Sequence, residues 1–288
     1  MGYKHRVISI VTPTYRTPPD VLARTWGTLK AQTHTDWEWV VWDDTPDDAT
    51  VWRQLYGLAS DERFRLIAHR SHVHSGVIGA VKRRAFMAAE GDILVELDHD
   101  DELHPRALEA VAEAFDAHPD AGFVYSDWSE IFADGSSGRY PEGWAFGYGG
   151  DYLVDGTWVM SAPAINRTTM SHIVSVPNHI RAWRADFYRA LGGHDPSLHV
   201  ADDYELIIRT FLAGPMVHIP VCLYRQHIGG HTTQRQRNAD IQSLVAELSS
   251  MHSAALDARA QELGGGEQLA REYVPGWAPA HDPVPAGS

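Results

Sequence analysis

The chain has 288 residues, 44% of them hydrophobic, and a single cysteine. This length and apolar content suffice for one large α/β domain or two small ones, and they exclude a collagen, a disulfide-stapled scaffold and a wholly disordered chain. The 38 acidic and 24 basic residues give a formal net charge of −14, so nucleic acid is not an expected partner.

The first hundred residues alternate short apolar runs with amphipathic stretches. Strands are predicted over 7–12, 37–42, 64–68 and 93–97, and helices over 21–29, 49–58, 77–89 and 105–117. This alternation predicts an α/β fold in which a mostly parallel sheet carries helices on both faces. Such a sheet binds its ligand outside the carboxyl ends of its strands.

The second half is less regular. Strands are predicted over 122–125 and 217–224, and helices over 180–191, 203–212 and 240–262. Residues 134–163 are rich in Gly, Tyr and Trp, which fits a functional lid and a plain insertion equally well. The Gly/Pro/Ala-rich stretch over 264–288 predicts a frayed, flexible tail.

No apolar signal-peptide core follows the charged N-terminus, and no run approaches the roughly 18 apolar residues of a membrane span. We therefore expect a cytoplasmic protein, with peripheral contact at a membrane as an alternative. The C-terminal helix could also mediate a homodimer.

Acidic residues follow two predicted strands. Asp43 and Asp44 end the second strand, and Asp98, Asp100 and Asp101 follow the fourth. Carboxylates packed at a strand end repel one another unless a cation neutralises them, and Mg²⁺ or Mn²⁺ favours such oxygen ligands. The alternative interpretation is that these acids cap turns and helix N-termini.

Five segments in chain order resemble the family 2 glycosyltransferases, inverting nucleotide-sugar enzymes of the GT-A fold, and the resemblance covers about residues 6–232. The segments are VISIVTPTY (7–15), WVVWDDTPD (39–47), DHDD (98–101), LGGHD with ADDYEL (191–195 and 201–206) and YRQH (224–227). The resemblance implies a GT-A-type, Rossmann-like sheet.

The resemblance also implies a division of the chain. A catalytic domain would span 1–235, with a nucleotide-binding half over about 1–104 and an acceptor-binding half over 105–235. A C-terminal helix over 236–263 and the flexible tail would follow it.

The same resemblance implies a nucleotide site. One acid of the Asp43–Asp44 pair would accept a hydrogen bond from a base N–H, and Asp98 would reach the ribose or a metal. The other residues implied to border the nucleotide are Thr12, Pro13, Tyr15, Lys82 and Arg225.

A divalent cation, Mn²⁺ or Mg²⁺, is the implied cofactor. Asp100, with Asp98, would coordinate it between the two phosphates, and the metal would act as a Lewis acid. His227 is the candidate third ligand and His231 the second choice. The alternative for each histidine is an exposed loop position.

Inversion requires a base on the sugar face opposite the diphosphate. This role maps to Asp203, with Asp202 as the alternative; capping of the following helix would also explain an acid here. His179, Trp183 and Arg184 resemble the acceptor-side wall of the family. Trp158 belongs to an aromatic-rich stretch that either stacks on a sugar or packs in the core. His69, His72 and His74 are predicted to form a solvated loop.

The sequence therefore predicts a metal-dependent inverting glycosyltransferase that moves a sugar from a nucleoside diphosphate donor, preferentially a UDP-sugar, to an unknown acceptor. One alternative is a nucleotide-sugar-binding module without turnover. The other is a sugar-phosphate nucleotidyltransferase, which the loop Pro13–Thr17 disfavours because it lacks glycine.

Overall fold

The computed structural model describes residues 7–58, 65–172, 177–229 and 233–278. Its strands are β1 (Ile8–Thr14), β2 (Trp37–Asp43), β3 (Arg65–Arg70), β4 (Ile93–Glu96), β5 (Glu102–Leu103), β6 (Phe123–Phe132), β7 (Gly150–Val154), β8 (Thr157–Ser161), β9 (Arg181–Arg184), β10 (Met216–Ile228) and β11 (Arg271–Glu272). Its α-helices are α1 (Pro19–Lys30), α2 (Thr50–Leu58), α3 (Ile78–Met87), α4 (Ala107–Ala117), α5 (Ala185–Ala190), α6 (Asp202–Ala213) and α7 (Thr233–Glu262).

The strands form a sheet whose main path runs β11-β10-β6-β9-β4-β1-β2-β3. Neighbours on this path are parallel except at β9, which is antiparallel to both β4 and β6. The predicted mostly parallel α/β sheet is therefore confirmed. Because crossovers are right-handed, α1 and α2 cover one face, and the return from β3 to β4 through α3 covers the other.

Burial on both faces explains why the first strands were recognisable in the sequence. Every residue of β1 and β4 is buried, as in the interior strands of parallel sheets. Helix α1 presents Leu22, Trp26 and Leu29 to the core at i, i+4 and i+7, the spacing of one helical face.

The predicted helix over 180–191 is wrong in its first half. Residues 181–184 form β9, and the helix is confined to Ala185–Ala190. Ile180, Ala182 and Trp183 are all buried, so this short strand has no polar alternation that would separate it from a helix.

Strands β6 and β10 extend well beyond the sheet's other strands. Tyr125 of β6 and Glu96 of β4 both pair with Arg181 of β9, so they lie at the same height in the sheet. β4 ends there, whereas β6 continues to Phe132 and pairs with β10 up to Ile228. The irregular stretch over 134–163 contains the hairpin β7–β8, which joins this extension where Trp128 pairs with Met160.

The predicted frayed tail is wrong for residues 264–278. Strand β11 pairs with β10, Leu269 N–H donates to the Ile165 carbonyl at 2.7 Å, and the Trp277 ring stacks on His104. The rest of that prediction, over 279–288, lies outside the described residues. Within the described part of the chain, no helix is long and apolar enough to cross a membrane.

Candidate active site

The candidate site lies where the strand order reverses. β1 pairs with β2 on one side and with β4 on the other, so the strand order runs outward from β1 in two directions. A crevice opens at such a point outside the carboxyl ends of the strands. The acidic turns after β2 and β4 both lie at this edge.

The turn after β2 buries Asp43 and Asp44. Asp43 accepts a hydrogen bond from Thr45 N–H at 3.1 Å, and burial raises the pKa of its carboxyl. Asp44 Oδ2 accepts from Ser75 N–H at 2.9 Å and lies 2.8 Å from His74 Nδ1. Asp43 Oδ2 and Asp44 Oδ1 are buried without a hydrogen-bond partner among the described residues, so each retains an acceptor for a ligand.

His74 links the acidic turn to the loop after β1. Its ring stacks on Tyr15 with centroids 4.3 Å apart and planes inclined by 21°. Tyr15 remains 44% exposed, so a flat ligand can reach this pair. The prediction of a solvated loop is therefore wrong for His74; the signal that could have found it is the pair of acids at the carboxyl end of the neighbouring strand β2.

The two candidates within β1, Thr12 and Pro13, are buried. Thr12 is fully buried, and its Oγ1 accepts a hydrogen bond from Trp39 Nε1 at 2.9 Å. Pro13 is buried in the strand as well. Of the three predicted residues, only Tyr15 presents its side chain to solvent.

A buried ionic network lies beneath the crevice. Glu96, fully buried at the end of β4, is 2.7 Å from Lys82 Nζ and 2.9 Å from Arg181 Nε. Lys82 Nζ is also 3.4 Å from Asp202 Oδ2, while Arg181 Nη1 donates to Asp203 Oδ2 at 2.8 Å. The network thus connects β4, α3 and β9 to the acidic pair at the start of α6.

The network sets the protonation of its members. Burial alone would raise the pKa of Glu96, but the charges of Arg181 and Lys82 hold it well below its ordinary value. Burial would likewise lower the pKa of Lys82, but Asp202 and Glu96 raise it. Both groups are therefore charged at neutral pH.

The two acids of α6 differ in exposure and in pKa. Burial raises the pKa of Asp202 to about 6, and its side chain is only 6% exposed. Burial also opposes ionisation of Asp203, but Arg181 and Lys82 lower its pKa to about 2, and its side chain is 29% exposed. Ala201, in the left-handed conformation at φ 53°, precedes the pair and sets the start of α6.

The turn after β4 divides its acids between solvent and interior. The Asp98 side chain is 34% exposed, and burial raises its pKa, with Glu96 and Asp100 contributing. Asp101 is buried and accepts hydrogen bonds from Tyr224 Oη and His227 N–H, each at 2.7 Å. Asp101 therefore anchors β10 to this turn, leaving Asp98 and Asp100 for the crevice.

His179 joins the two halves of the site. Its Nε2 lies 3.6 Å from Asp98 Oδ2 and accepts a hydrogen bond from Arg181 Nη2 at 2.9 Å. Its ring stacks on Tyr224 at 4.4 Å, and burial, together with the Arg181 charge, lowers its pKa well below the ordinary value. A neutral His179 thus lies between the turn after β4 and the network.

Asp98 and Asp100 are the donors that suit a divalent cation. Two carboxylates at one turn fit Mg²⁺ or Mn²⁺, which is commonly held by one or two carboxylates together with substrate phosphates. Among the described residues, no three His, Cys, Asp or Glu side chains are arranged to hold a metal ion together. His227 does not complete such a group because its Nε2 lies 2.9 Å from Glu102 Oε1. His231 lies outside the described residues.

Two of the other predicted residues, Trp183 and Arg184, lie away from the crevice. Trp183 is buried in the core and donates to Thr210 Oγ1 at 3.0 Å. Arg184, paired with Ile93 at the far end of β4, donates to the Ala121 and Phe115 carbonyls. Arg225 is exposed on β10 and contributes, after burial, to the lowered pKa of His104. The acceptor-wall prediction therefore fails for Trp183 and Arg184, because β9 runs away from the site.

Comparisons with known proteins bear on the family to which this chain belongs. The profile of "Glycosyl transferase family 2" matches residues 9–167. An uncharacterized Sinorhizobium fredii protein, y4gI, is 28% identical over 206 residues, which cover 70% of this chain and 20% of that protein. The O-antigen biosynthesis protein RfbC of Myxococcus xanthus is 32% identical over 130 residues, which cover 45% of this chain and 10% of RfbC. The chain thus spans a fifth or less of these two relatives.

A similar fold occurs in a crystal structure of S. aureus TarS 1-349 in complex with UDP-GlcNAc. The TM-score is 0.63 at 16% identity, covering 88% of this chain and 72% of TarS 1-349. At this identity the likeness concerns the fold alone, and it agrees with the predicted GT-A architecture. Because the family profile spans more than half of the residues, the chain belongs to glycosyl transferase family 2.

Proposed function

We propose that the protein is a metal-dependent inverting glycosyltransferase that transfers a sugar from a UDP-sugar to an acceptor hydroxyl. The observation that carries this proposal is that three kinds of group lie at one crevice: a stacking pair beside buried acceptors, two partly exposed carboxylates, and an ionised aspartate on a helix N-terminus. A nucleoside diphosphate sugar needs all three, for its base, its diphosphate and its transferred sugar.

Tyr15, His74 and the acidic turn after β2 would hold the base. The exposed Tyr15 ring offers a stacking surface, and Asp44 keeps a buried oxygen that can accept from a base N–H. Uracil presents one N–H between two carbonyls, which suits a single acceptor. The TarS complex with UDP-GlcNAc adds support from a protein of the same fold.

The diphosphate end is assigned to Asp98 and Asp100, which would hold Mg²⁺ or Mn²⁺. A bound cation would supply Lewis-acid stabilisation of the charge on the departing diphosphate. Lys82 forms ion pairs with Glu96 and Asp202 beneath the crevice, so its positive charge acts on the site from the protein interior.

Asp203 is the proposed general base. It is the more exposed acid of the pair, whereas Asp202 is enclosed beside Lys82 and 3.8 Å from His194. As the acceptor oxygen attacks C1, its proton passes to Asp203 and the bond from C1 to the diphosphate oxygen breaks on the opposite face. The ion pair with Arg181 fixes the carboxylate and keeps it unprotonated, at a cost in basicity.

The direct test is a donor-hydrolysis assay. UDP-sugars and Mn²⁺ would first be screened by thermal shift, because a ligand that binds the folded state raises Tm. Release of UDP and free sugar would then be followed with the stabilising donor. Donor hydrolysis is expected from a transferase; binding without any turnover would identify a binding module instead.

Asp100→Ala should abolish the effect of Mn²⁺ on UDP affinity, because it removes one of the two proposed metal ligands. Calorimetry with Mn²⁺ and with EDTA should show a difference on the order of tenfold or more for the wild type and none for the variant. Asp134→Ala, an exposed acid of the turn after β6, is the control that should keep the difference. Equal Mn²⁺ dependence in all three proteins would remove the metal from the proposal.

His74→Ala should weaken UDP binding on the order of tenfold, because Tyr15 loses its stacking partner and Asp44 its imidazole contact. The matched control is His72→Ala, an exposed histidine two residues earlier in the same loop. Calorimetry with UDP measures both. An unchanged affinity in His74→Ala, or the same loss in both variants, would contradict the base assignment.

A further inference from the structure

We propose that the turn over 143–147, with the hairpin β7–β8, forms a saccharide-binding subsite that seats a sugar ring of the acceptor on Phe146. This inference rests on the proposed glycosyl transfer and names the acceptor's chemical class: a glycan rather than a lone lipid, peptide or nucleoside hydroxyl.

The backbone of the turn is unusual for residues that carry a Cβ. Ala145 (φ 52°, ψ 40°) and Phe146 (φ 61°, ψ 24°) are consecutive left-handed residues between Gly143 and Gly147, which also have positive φ. Non-glycine residues persist in this region only where their surroundings fix them, and such positions cluster at ligand-binding sites.

Packing on one side of the turn fixes it. The Trp144 ring stacks on Tyr140 with centroids 4.0 Å apart and planes inclined by 6°, and its edge meets Trp128 at 6.0 Å. Ala145 is buried, and its carbonyl accepts from Tyr148 N–H at 3.1 Å. On the opposite side Phe146 is 53% exposed, and its ring lies against that of His172 with centroids 4.4 Å apart. The strained turn therefore holds a half-exposed apolar ring beside an imidazole on a rigid support.

Contacts connect this turn to the catalytic crevice. Trp128 pairs with Tyr224 across β6 and β10, and the Tyr224 hydroxyl bonds to Asp101 and to the backbone N–H of Asp98. Trp144 packs directly on Trp128. The aromatic cluster of Trp128 and Trp144 therefore begins one strand away from the proposed diphosphate site.

The hairpin lies on the same side. Along β6, β9 is the neighbour as far as Tyr125, and β8 takes that place at Trp128. The hairpin thus continues the sheet beyond the strand end that carries the crevice. The predicted acceptor residue Trp158 belongs to β8 of this hairpin, and the Arg139 guanidinium lies over its ring, 4.1 Å from the centroid.

The side chains around the turn over 143–147 suit a carbohydrate ligand. The C–H face of a pyranose packs on an aromatic ring, while its hydroxyls need hydrogen-bond partners nearby. His172, whose ring lies 4.4 Å from that of Phe146, supplies such a partner. Its Nδ1 bonds to the Thr168 carbonyl at 3.0 Å, so Nε2 is the ring nitrogen that can bond to a sugar hydroxyl while the C–H face of the sugar packs on Phe146.

The test compares wild type with Phe146→Ala and Phe146→Trp on an array of immobilised oligosaccharides, with UDP and Mn²⁺ present. The strongest wild-type glycan is then titrated in solution. Phe146→Ala should bind it about tenfold more weakly, and Phe146→Trp should keep the affinity. Tyr56→Ala, which removes an aromatic ring that is 78% exposed on α2, is the matched control and should match the wild type.

Equal glycan affinity in Phe146→Ala and wild type would overturn the subsite. A wild-type protein that binds UDP but no oligosaccharide would overturn the assignment of a glycan acceptor while leaving donor binding intact. A wild type that fails to bind UDP at all would instead refute the proposed function. Unchanged UDP affinity in Phe146→Ala is expected and shows that the variant is folded.

Discussion

Asp203→Asn should retain donor affinity and lose turnover by roughly 10²-fold or more, the scale of general-base catalysis. The amide keeps the size of the carboxylate and can still meet Arg181 through its oxygen, but it cannot take a proton from the acceptor. UDP affinity by calorimetry and kcat with saturating donor separate the two effects. The control is Glu205→Gln, an acid on the same first turn of α6 that pairs with Arg209, and it should stay close to wild-type turnover.

The pH dependence of kcat/KM distinguishes the two acids of the pair. A base with a pKa near 2 stays ionised throughout the mildly acidic range, so the profile should be flat across pH 6. If Asp202 were the base, activity should instead fall as the pH drops through about 6, where that carboxyl becomes protonated. A full-rate Asp203→Asn enzyme together with an acid limb near pH 6 would move the role to Asp202.

Glu96→Ala should destabilise the fold by about 3–5 kcal/mol, because it leaves the buried charges of Lys82 and Arg181 without their shared partner. Urea unfolding followed by tryptophan fluorescence measures the free energy of unfolding. Glu109→Ala breaks the more exposed pair with Arg106 and should cost less than about 1 kcal/mol. A Glu96→Ala protein as stable as the Glu109→Ala control would show that the network adds nothing to the fold.

The same network has a defined pH dependence. The pKa of Glu96 is lowered on folding, so its carboxylate stabilises the native state fully above its unfolded value near 4.5. That contribution disappears as the pH falls toward the folded value. In Glu96→Ala the acid-induced loss of stability should therefore be shallower than in wild type.

Local patterns predicted the first hundred residues of the fold well. β1, β2 and β4 are runs of apolar residues that end in turn residues, and this signal needs no knowledge of distant contacts. The acids after β2 and β4 could be placed at one edge for the same reason, since parallel strands bring their carboxyl ends together.

The buried network was not foreseen because its members meet only through the tertiary fold. Arg181 lay in a segment predicted as a helix, and Glu96 was treated as part of an apolar strand. A lone charge in such a strand was the available signal, since an ionised carboxylate is rarely buried without a partner. Its partners, Lys82 on α3 and Arg181 on β9, carry no local mark of that role.

On the acceptor side, residues that were predicted to lie together are separated by the fold. Trp183 and Arg184 follow His179 so closely that all three seemed to share one surface. An antiparallel strand carries its later residues away from the carboxyl ends of the parallel strands, so only His179 and Arg181 remain near the crevice. The direction of β9, which the sequence does not mark, decided the outcome.

Strand β11 has a consequence for how copies of this protein could associate. An unpaired margin of a sheet invites another chain to add a strand there. At one margin, β11 shields the neighbouring part of β10 and offers only two residues of its own for such pairing. At the other, β3 carries the bulky or cationic side chains of Arg65, His69 and Arg70, which discourage a partner strand. Self-assembly by extending the main path of the sheet is therefore disfavoured at both of its ends.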